Sequence, residues 1–318
     1  PPRSTRKESS AASDVYKRQQ SMWKQRIKTI IKPFSTNGPT VPVVVSPDVD
    51  GVLCLLILNH YTEQQFGKKV EVVGTYNSKL LYATTTFEKA KKALWIDLDC
   101  RFEGVAHIGQ HLLGDIPLNK NGFNPNHFFK RFTIFQKYPF GTSHLLLWSL
   151  FESEQAAFPV FREKFSLAQA ALAHCDSTYQ NCRAYKGNCK DWVQLLEPTS
   201  KSMQLLLSGE YHEKALKVHT HLCKKIDPYV YGTMAGEGWE KCSKKQSLRS
   251  TLMIKPLLQE LAKIFRCDVP ICEIEGAQRV FSGRLERWNV GQIQELGVNP
   301  NVVSHAIINR KYISVTVS

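Results

Sequence analysis

The chain has 318 residues, of which 42 are Lys or Arg, 28 are Asp or Glu, and 42% are hydrophobic. This length suits one large domain or two modest ones, with ample chain to bury a core. The mean hydropathy is −0.28, and the longest unbroken apolar run, Val52–Leu58, has seven residues. A membrane-spanning helix needs roughly 20, so a transmembrane protein is excluded. Dominant disorder is excluded as well, because aromatic residues make up 10% of the chain and provide surface to bury.

The formal net charge of +14 has two interpretations, and the sequence favours neither. It suits a phosphate-containing polyanion as partner, such as single-stranded nucleic acid or a nucleotide. Many soluble basic proteins nevertheless bind no nucleic acid. The nine cysteines include no Cys-x-x-Cys pair, so they do not indicate a structural zinc site. With no signal peptide visible, we expect reduced thiols, an intracellular, cytoplasmic location and no membrane partner.

The predicted elements begin after a polar, basic segment. Residues 1–20 lack an apolar period and contain SAASDVYKRQ, which looks like a translated sequencing adapter, so we expect a disordered or artefactual tail. From Val41 onwards, apolar strands and helices alternate in the order that is typical of a parallel α/β sheet. We predict strands over 41–45, 69–76, 93–99 and 104–111, and helices over 52–65 and 87–92.

Beyond residue 141 the pattern becomes helical, and over the last fifty residues it alternates like strands. We predict helices over 200–225 and 252–265, with a glycine-rich loop over 228–245 between them. The sequence therefore predicts a first domain over 38–195 and a smaller α+β domain over 200–318.

Carboxylates follow two of the predicted strands. Asp48 and Asp50 form the sequence Asp-x-Asp-Gly after the first strand, and Asp97 lies at the end of the third. Carboxylates at i and i+2 in an irregular turn can converge on one cation, because the chain there has left the alternating pleat. Hard oxygen ligands of this kind suit Mg²⁺ or Mn²⁺. Alone, Asp-x-Asp-Gly is also a common turn sequence.

Four motifs in order along residues 41–192 resemble the DHH phosphoesterase superfamily. That superfamily includes family II inorganic pyrophosphatases, single-strand exonucleases and phosphodiesterases of oligonucleotides or cyclic dinucleotides. The first two motifs match VVVSPDVDGVLCLLIL and LWIDLD, which contain the carboxylates just described. The third, a strand that ends in Asp-His-His in the family, matches IGQH with His111. The fourth is an Asp after a helix and matches Asp176 in LAQAALAHCDST.

The third motif departs from the family pattern. Gly109 stands in place of the Asp, and Gln110 stands in place of the first His, which is normally a metal ligand. An amide oxygen is a poorer ligand than an imidazole, so one of two metal sites is expected to be weak. Val44 occupies a position where many members have a His, and the Gly-Gly-His signature of the accessory domain is absent. The chain is similar to an uncharacterised bacterial branch with Gly-His-His in the third motif.

The resemblance implies an α/β fold, in which a parallel-sheet DHH-type domain precedes a smaller α+β domain. It also implies a two-metal mechanism with Mn²⁺ or Mg²⁺. In that mechanism Asp97 would bridge both ions, Asp48 would hold one, and Asp50 together with Asp176 would hold the other. His111 would donate to a phosphoryl oxygen as a catalytic residue, or it is simply a hydrogen-bonded histidine at a strand end.

Two functions of different classes stay open. The chain is either a metal-dependent phosphoesterase of a nucleotide or oligonucleotide, or a catalytically degenerate nucleic-acid-binding or scaffold protein. The surviving carboxylates favour the enzyme, whereas Gly109 and Gln110 favour the alternative.

Two further groups of residues receive structural interpretations. Asp99 is expected to be a surface carboxylate or a helix cap. The basic residues of 128–137 alternate with phenylalanines, a pattern that suits a nucleic-acid platform but more often marks an amphipathic segment with a buried aromatic face.

Overall fold

The structure is a computed structural model that describes residues 5–117, 119–208, 217–218, 220–222, 224–225, 244–307 and 311–318. The strands of its large β-sheet are β1 (Val41–Val45), β2 (Val70–Tyr76), β3 (Leu80–Ala83), β4 (Leu94–Ile96), β5 (Ala106–Ile108), β6 (Gly122–Phe123) and β7 (Gln278–Ser282). They lie in the order β6-β5-β4-β1-β2-β3-β7. The first five strands in this order are parallel, and β3 is antiparallel to both of its neighbours. The expectation of an α/β protein with a mainly parallel sheet is thus confirmed.

A second, antiparallel sheet has three strands near the C-terminus. These are β8 (Arg284–Asn289), β9 (Val302–Ile307) and β10 (Tyr312–Val317), in the order β8-β10-β9. Ile313, Val315 and Val317 alternate along β10 and pack with Leu296 and Ile116 into a small separate core. The alternation that the sequence shows in this region therefore reflects a half-buried sheet.

The helices differ greatly in length, and the long ones cover the large sheet. Those described are α1 (Thr5–Thr36), α2 (Val49–Phe66), α3 (Phe87–Ala90), α4 (Pro125–Phe128), α5 (Thr142–Leu150), α6 (Glu154–Ala157), α7 (Leu167–His174), α8 (Thr178–Ala184), α9 (Lys186–Leu196), α10 (Lys201–Ser208), α11 (Lys244–Phe265) and α12 (Ile293–Val298). None of the helices in these described segments combines the length and apolar character that crossing a bilayer requires.

Strand β1 is buried on both faces, which explains its uninterrupted run of β-branched residues. Val43 and Val45 face the main core together with α2, whereas Val44 packs on the opposite face with Trp95. Helix α2 is buried almost all round, since it contacts the sheet as well as α5 and α11. It ends at Gly67, whose left-handed conformation (φ 65°) lets its N–H bond back to the last turn.

Helix α1 begins at Thr5, within residues 1–20, for which the sequence predicts a disordered or artefactual tail; the artefactual origin of that segment stays a prediction. Its second half is held by a buried stripe at helical spacing that includes Trp23, Ile27 and Ile31. The preceding segment is rich in Ala, Lys, Arg, Glu and Gln, which favour helix. The helix therefore extends into a region that has no apolar period of its own.

The predicted C-terminal domain contributes to both sheets. Strand β7 pairs with β3 and extends the large sheet, and α11 packs against α2. The domain boundaries near residue 200 stay a prediction. The predicted helix over 200–225 is described as α10 and short pieces beyond it, and the predicted loop over 228–245 lies almost wholly outside the described residues.

Candidate metal centre

The site is built where the chain reverses its direction across the large sheet. From β1 the chain passes to β2 on one side, and it then crosses to β4 on the other side. In parallel α/β sheets, ligands bind beyond the carboxyl ends of the strands at such a switch point. Asp48 and Asp50 follow β1, and Asp97 follows β4, so both groups of carboxylates lie at this edge.

Asp48 and Asp50 accept different hydrogen bonds at the start of α2. Asp48 caps the helix: its Oδ1 accepts from the Gly51 N–H (2.9 Å), and its Oδ2 accepts from Ser46 Oγ (2.5 Å). Asp50 is only 3% exposed. Its carboxylate accepts from the N–H groups of Thr142 (2.7 Å) and Ser143 (3.0 Å) and from Ser143 Oγ (2.5 Å). The positive end of α5 thus holds Asp50 in place.

Asp97 and Asp176 are placed by unusual backbone conformations. Both residues have positive φ, 58° at Asp97 and 45° at Asp176, a region that Asp and Asn tolerate better than most side chains. Thr142 Oγ1 donates to Asp97 Oδ1 (2.8 Å). Asp176 lies in the turn between α7 and α8, where its carboxylate accepts from Gln110 Nε2. Strain at such positions is common where a site requires a fixed side-chain direction.

Three of the four predicted carboxylates come together. Asp50, Asp97 and Asp176 each offer an oxygen, and these oxygens all lie within 4.8 Å of one another. Burial and the neighbouring negative charges, above all that of Asp50, raise the pKa of Asp97 and of Asp176 well above the ordinary value. A cation between the three would relieve this repulsion, so their chemistry fits Mg²⁺ or Mn²⁺. Asp48 is adjacent, but it does not belong to the three-oxygen group, and burial raises its pKa too.

His111 lies beside this group and is paired with Asp99. The Nδ1 of His111 is 3.1 Å from Asp99 Oδ2, and the His111 backbone N–H donates to the same oxygen (3.0 Å). Although burial lowers the pKa of His111, its bond to Asp99 and the charges of Asp176 and Asp48 raise it to about 9. These partners favour the protonated, imidazolium form of His111.

Asp99 is the clearest departure from the sequence-based expectation. It is not a surface carboxylate or a helix cap, because it is 8% exposed and accepts from Asn124 Nδ2 (2.9 Å) as well as from His111. Burial raises the pKa of a carboxyl group, but the bond and charge of His111 outweigh it and lower the pKa of Asp99. A polar residue after a strand looks like surface in the sequence, and here two distant partners bury it.

Four supporting residues were missed by sequence reasoning. Thr142 and Ser143 hold the carboxylates through the first turn of α5, and Asn124 and Asn126 hold the backbone carbonyls of His111 (2.8 Å) and Gln110 (2.8 Å). The only signals were a Gly-Thr-Ser sequence before an apolar run and the Asn-Pro-Asn sequence at α4, both typical of helix starts.

The basic, aromatic segment over 128–137 is mixed in character. Phe128 and Phe129 pack against the main core, as the amphipathic interpretation predicts. Phe135 is 56% exposed, and the Arg131 guanidinium lies 4.5 Å from the centre of the Trp192 ring. The segment is held against α9 by a hydrogen bond from Asn188 Nδ2 to the Lys137 carbonyl (2.8 Å).

The seven cysteines that the described segments contain are free thiols, as predicted. No family model, curated protein or solved structure matches the chain. The resemblance drawn from the four motifs accordingly stays a prediction that depends on the chain's own residues.

Proposed function

We propose that this chain is a phosphoesterase that depends on Mn²⁺ or Mg²⁺ and hydrolyses a phosphodiester of a nucleotide or oligonucleotide. The observation that carries the proposal is the convergence of Asp50, Asp97 and Asp176 within 4.8 Å at the carboxyl edge of a parallel sheet. Three carboxylates without a neutralising cation repel one another, so their convergence, with Asp50 and Asp97 buried and Asp176 open to solvent, favours a divalent ion as the intended occupant.

The chain's own groups would divide the work around that ion. Asp50, Asp97 and Asp176 would hold it, and a bound divalent cation supplies a Lewis acid that neutralises charge on a phosphoryl group. The imidazolium of His111 would donate to a phosphoryl oxygen as charge develops there. The α5 N–H groups and the Thr142 hydroxyl would keep the carboxylates in their positions while substrate exchanges.

A nucleotide or oligonucleotide is the proposed substrate class because of charge. The net charge of +14 is compatible with an anionic partner, and the four motifs resemble a superfamily whose members cleave phosphorus–oxygen bonds. The second ion of a two-metal site would have to use Asp48, which lies outside the group of three converging oxygens. We therefore propose one strong and one weak metal site.

A second candidate is a binding or scaffold protein with the same fold. The observation that favours it is the contact from Gln110 Nε2 to Asp176, which occupies one of the carboxylate oxygens that a cation needs. In that case the basic surface would bind a single strand by counterion release, with a steep dependence on salt.

One assay separates the two candidates. The purified chain is incubated with Mn²⁺ or Mg²⁺ and with bis(p-nitrophenyl) phosphate, a dinucleotide or a short single strand, and Asp97→Asn is assayed in parallel. The enzyme proposal expects metal-dependent hydrolysis by the wild type that is lost in the variant. A wild type that hydrolyses none of these substrates, yet binds the single strand with a steep salt dependence, contradicts it and supports the scaffold.

A further inference from the structure

Asp99 makes more polar contacts than a residue that only fills space requires. Its side chain is 2% exposed, and both carboxylate oxygens are used. Oδ2 accepts from the backbone N–H of His111 (3.0 Å) and lies 3.1 Å from the ring Nδ1 of the same residue. Oδ1 accepts from Asn124 Nδ2 (2.9 Å). One carboxylate therefore binds both the backbone and the ring of His111.

The absence of a side chain at position 109 makes this contact possible. A Cβ built on Gly109 would lie 2.4 Å from Asp99 Oδ2 and 2.5 Å from its Cγ, far inside any real contact distance. A side chain at 109 and the present position of the Asp99 carboxylate therefore exclude each other. Gly109 and Asp99 form one feature, in which a carboxylate from the end of β4 occupies the space beside β5.

The geometry also selects which ring atom of His111 is presented. Because Nδ1 faces Asp99, Nε2 lies on the opposite side of the five-membered ring, and the His111 side chain is 41% exposed. The carboxylates of Asp176 and Asp48 act on the same ring. A carboxylate on one ring nitrogen of a histidine fixes the orientation of the ring and the function of the other nitrogen.

We propose that Asp99 is a positioning residue that holds His111 with Nε2 directed towards the phosphoryl oxygens of a bound substrate. Gly109 provides the space for it. This inference rests on the proposed function only for the identity of the ligand, a phosphate group. The contact between Asp99 and His111 does not depend on that proposal. Gly109, which stands in place of the Asp of the family motif, is then the condition that allows the Asp99 carboxylate to pair with His111.

The test uses four variants of the full chain and one control variant. Asp99→Asn keeps the shape of the side chain but removes its charge. Gly109→Ala introduces the Cβ, and because the atoms it meets belong to the end of a side chain, the fold can survive while the Asp99 carboxylate moves away. Asp99→Ala is compared with the double variant Asp99→Ala/Gly109→Asp. The comparison tests whether a carboxylate supplied from position 109, after β5, restores the placement of the His111 ring. Asp191→Asn, an exposed carboxylate on α9, is the matched control.

Two readouts do not depend on hydrolysis. Long-range ¹H–¹⁵N correlation spectra report the ring nitrogens of His111, and calorimetry with Mg²⁺ present reports the affinity for inorganic phosphate. We expect Asp99→Asn and Gly109→Ala to shift the His111 ring signals and to weaken phosphate binding by roughly 10- to 100-fold, the scale for residues that orient a site group. The double variant should regain most of what Asp99→Ala loses, and Asp191→Asn should match the wild type.

Kinetics separate this inference from the proposed function. If the wild type hydrolyses a phosphodiester, Asp99→Asn should lower kcat by roughly 10- to 100-fold with a smaller change in KM. Unchanged ring signals, phosphate affinity and kcat in Asp99→Asn would overturn the inference and leave the proposed function intact. A wild type without hydrolysis, but with ring signals and phosphate affinity that respond to Asp99 as described, would refute the enzyme and support the positioning role.

Discussion

Asp97 is a buried member of the carboxylate group, and its oxygen lies within 4.8 Å of those of Asp50 and Asp176. The repulsion that raises its pKa destabilises the metal-free protein and is the reason that a cation should bind. Asn is the natural neutral replacement, because it tolerates the positive φ of 58° and can still accept from Thr142 Oγ1 through its own carbonyl oxygen.

We therefore predict that Asp97→Asn stabilises the metal-free protein and weakens its response to metal. In a chelator, urea unfolding at pH 7 should give a higher free energy of unfolding for the variant, because Asn removes one of the three mutually repelling carboxylates. With Mn²⁺ present, the wild type should gain stability by mass action and the variant should gain little. Equal stabilisation of both proteins by Mn²⁺ would show that Asp97 is not a ligand.

Gln110 weakens the same group of carboxylates as a metal site. Its amide nitrogen donates to Asp176, so the side chain faces the site, and its hydrogen bond competes with a cation for that carboxylate. A His at position 110 could bind the cation through its imidazole, whereas the Gln110 amide donates to the Asp176 carboxylate.

We predict that Gln110→His tightens Mn²⁺ binding by roughly 10-fold or more, on the scale of changes in the shell around metal ligands. Calorimetric titration measures the dissociation constant. Gln110→Leu is the control, because it removes the amide donor without adding a ligand. If the Leu variant tightens binding as much as the His variant does, the gain comes from releasing Asp176 and not from a new ligand.

Strand β1 and helix α2 are connected so closely that the turn between them has no room for a side chain at position 51. A Cβ on Gly51 would lie 2.2 Å from the Ser46 carbonyl oxygen and 3.0 Å from a methyl group of Val45. The obstacle is backbone, which cannot rotate away. The small size of Gly51 thus sets how near the first turn of α2, with Asp50 in it, approaches the end of β1.

Gly51→Ala should lower the free energy of unfolding by about 1–3 kcal/mol, the usual effect of overpacking, and should weaken Mn²⁺ binding as Asp50 moves. Gly187→Ala in α9 is the matched control, because nothing lies within 4 Å of its Cβ position. There the same change should stabilise the protein by roughly 0.5–1 kcal/mol. Urea unfolding of both variants checks the pair, and a neutral Gly51→Ala would refute the close contact.

The elements also explain which parts of the site the sequence can predict. Asp48, Asp50 and Asp97 follow strands with strong local patterns, so their shared edge could be predicted from strand order alone. The bond from the Thr142 N–H to Asp50 joins residues 92 positions apart, and no local pattern encodes it. The burial of Asp99 is equally non-local. Strand β3 was missed because it has only four residues after a turn with Ser78 at φ 65°.

The C-terminal sheet is connected by hydrogen bonds to the segment that carries His111. The Ile307 N–H donates to the Leu112 carbonyl (2.8 Å), and the Arg101 N–H donates to the Val303 carbonyl (2.7 Å). His305, in the middle of β9, donates from Nε2 to the Leu113 carbonyl (3.0 Å). The position of His111 therefore depends on a sheet that begins about 170 residues later in the chain, at Arg284.

His305 makes this connection sensitive to acid. Burial, and to a smaller degree the charges of Arg101 and His127, lower its pKa to about 4, against the opposing effects of the Leu113 carbonyl and Asp99. Below the ordinary pKa of about 6.5, the unfolded chain binds a proton that the folded chain does not. The stability that depends on neutral His305 is thus fully present above pH 6.5 and is lost as the pH falls towards 4.

We predict that His305→Gln reduces the acid sensitivity of the protein. Between pH 6.5 and pH 4, the free energy of unfolding of the wild type should fall by on the order of 3 kcal/mol through His305. This figure is the difference between the ordinary pKa and the pKa in the folded chain, at about 1.36 kcal/mol per pKa unit. Gln can donate to the Leu113 carbonyl, but it does not titrate. Urea unfolding of both proteins at steps of half a pH unit measures the difference, and other histidines cancel in it because both proteins contain them. The two curves should diverge below pH 6.5, and parallel curves would mean that His305 is protonated equally in the folded and unfolded chain.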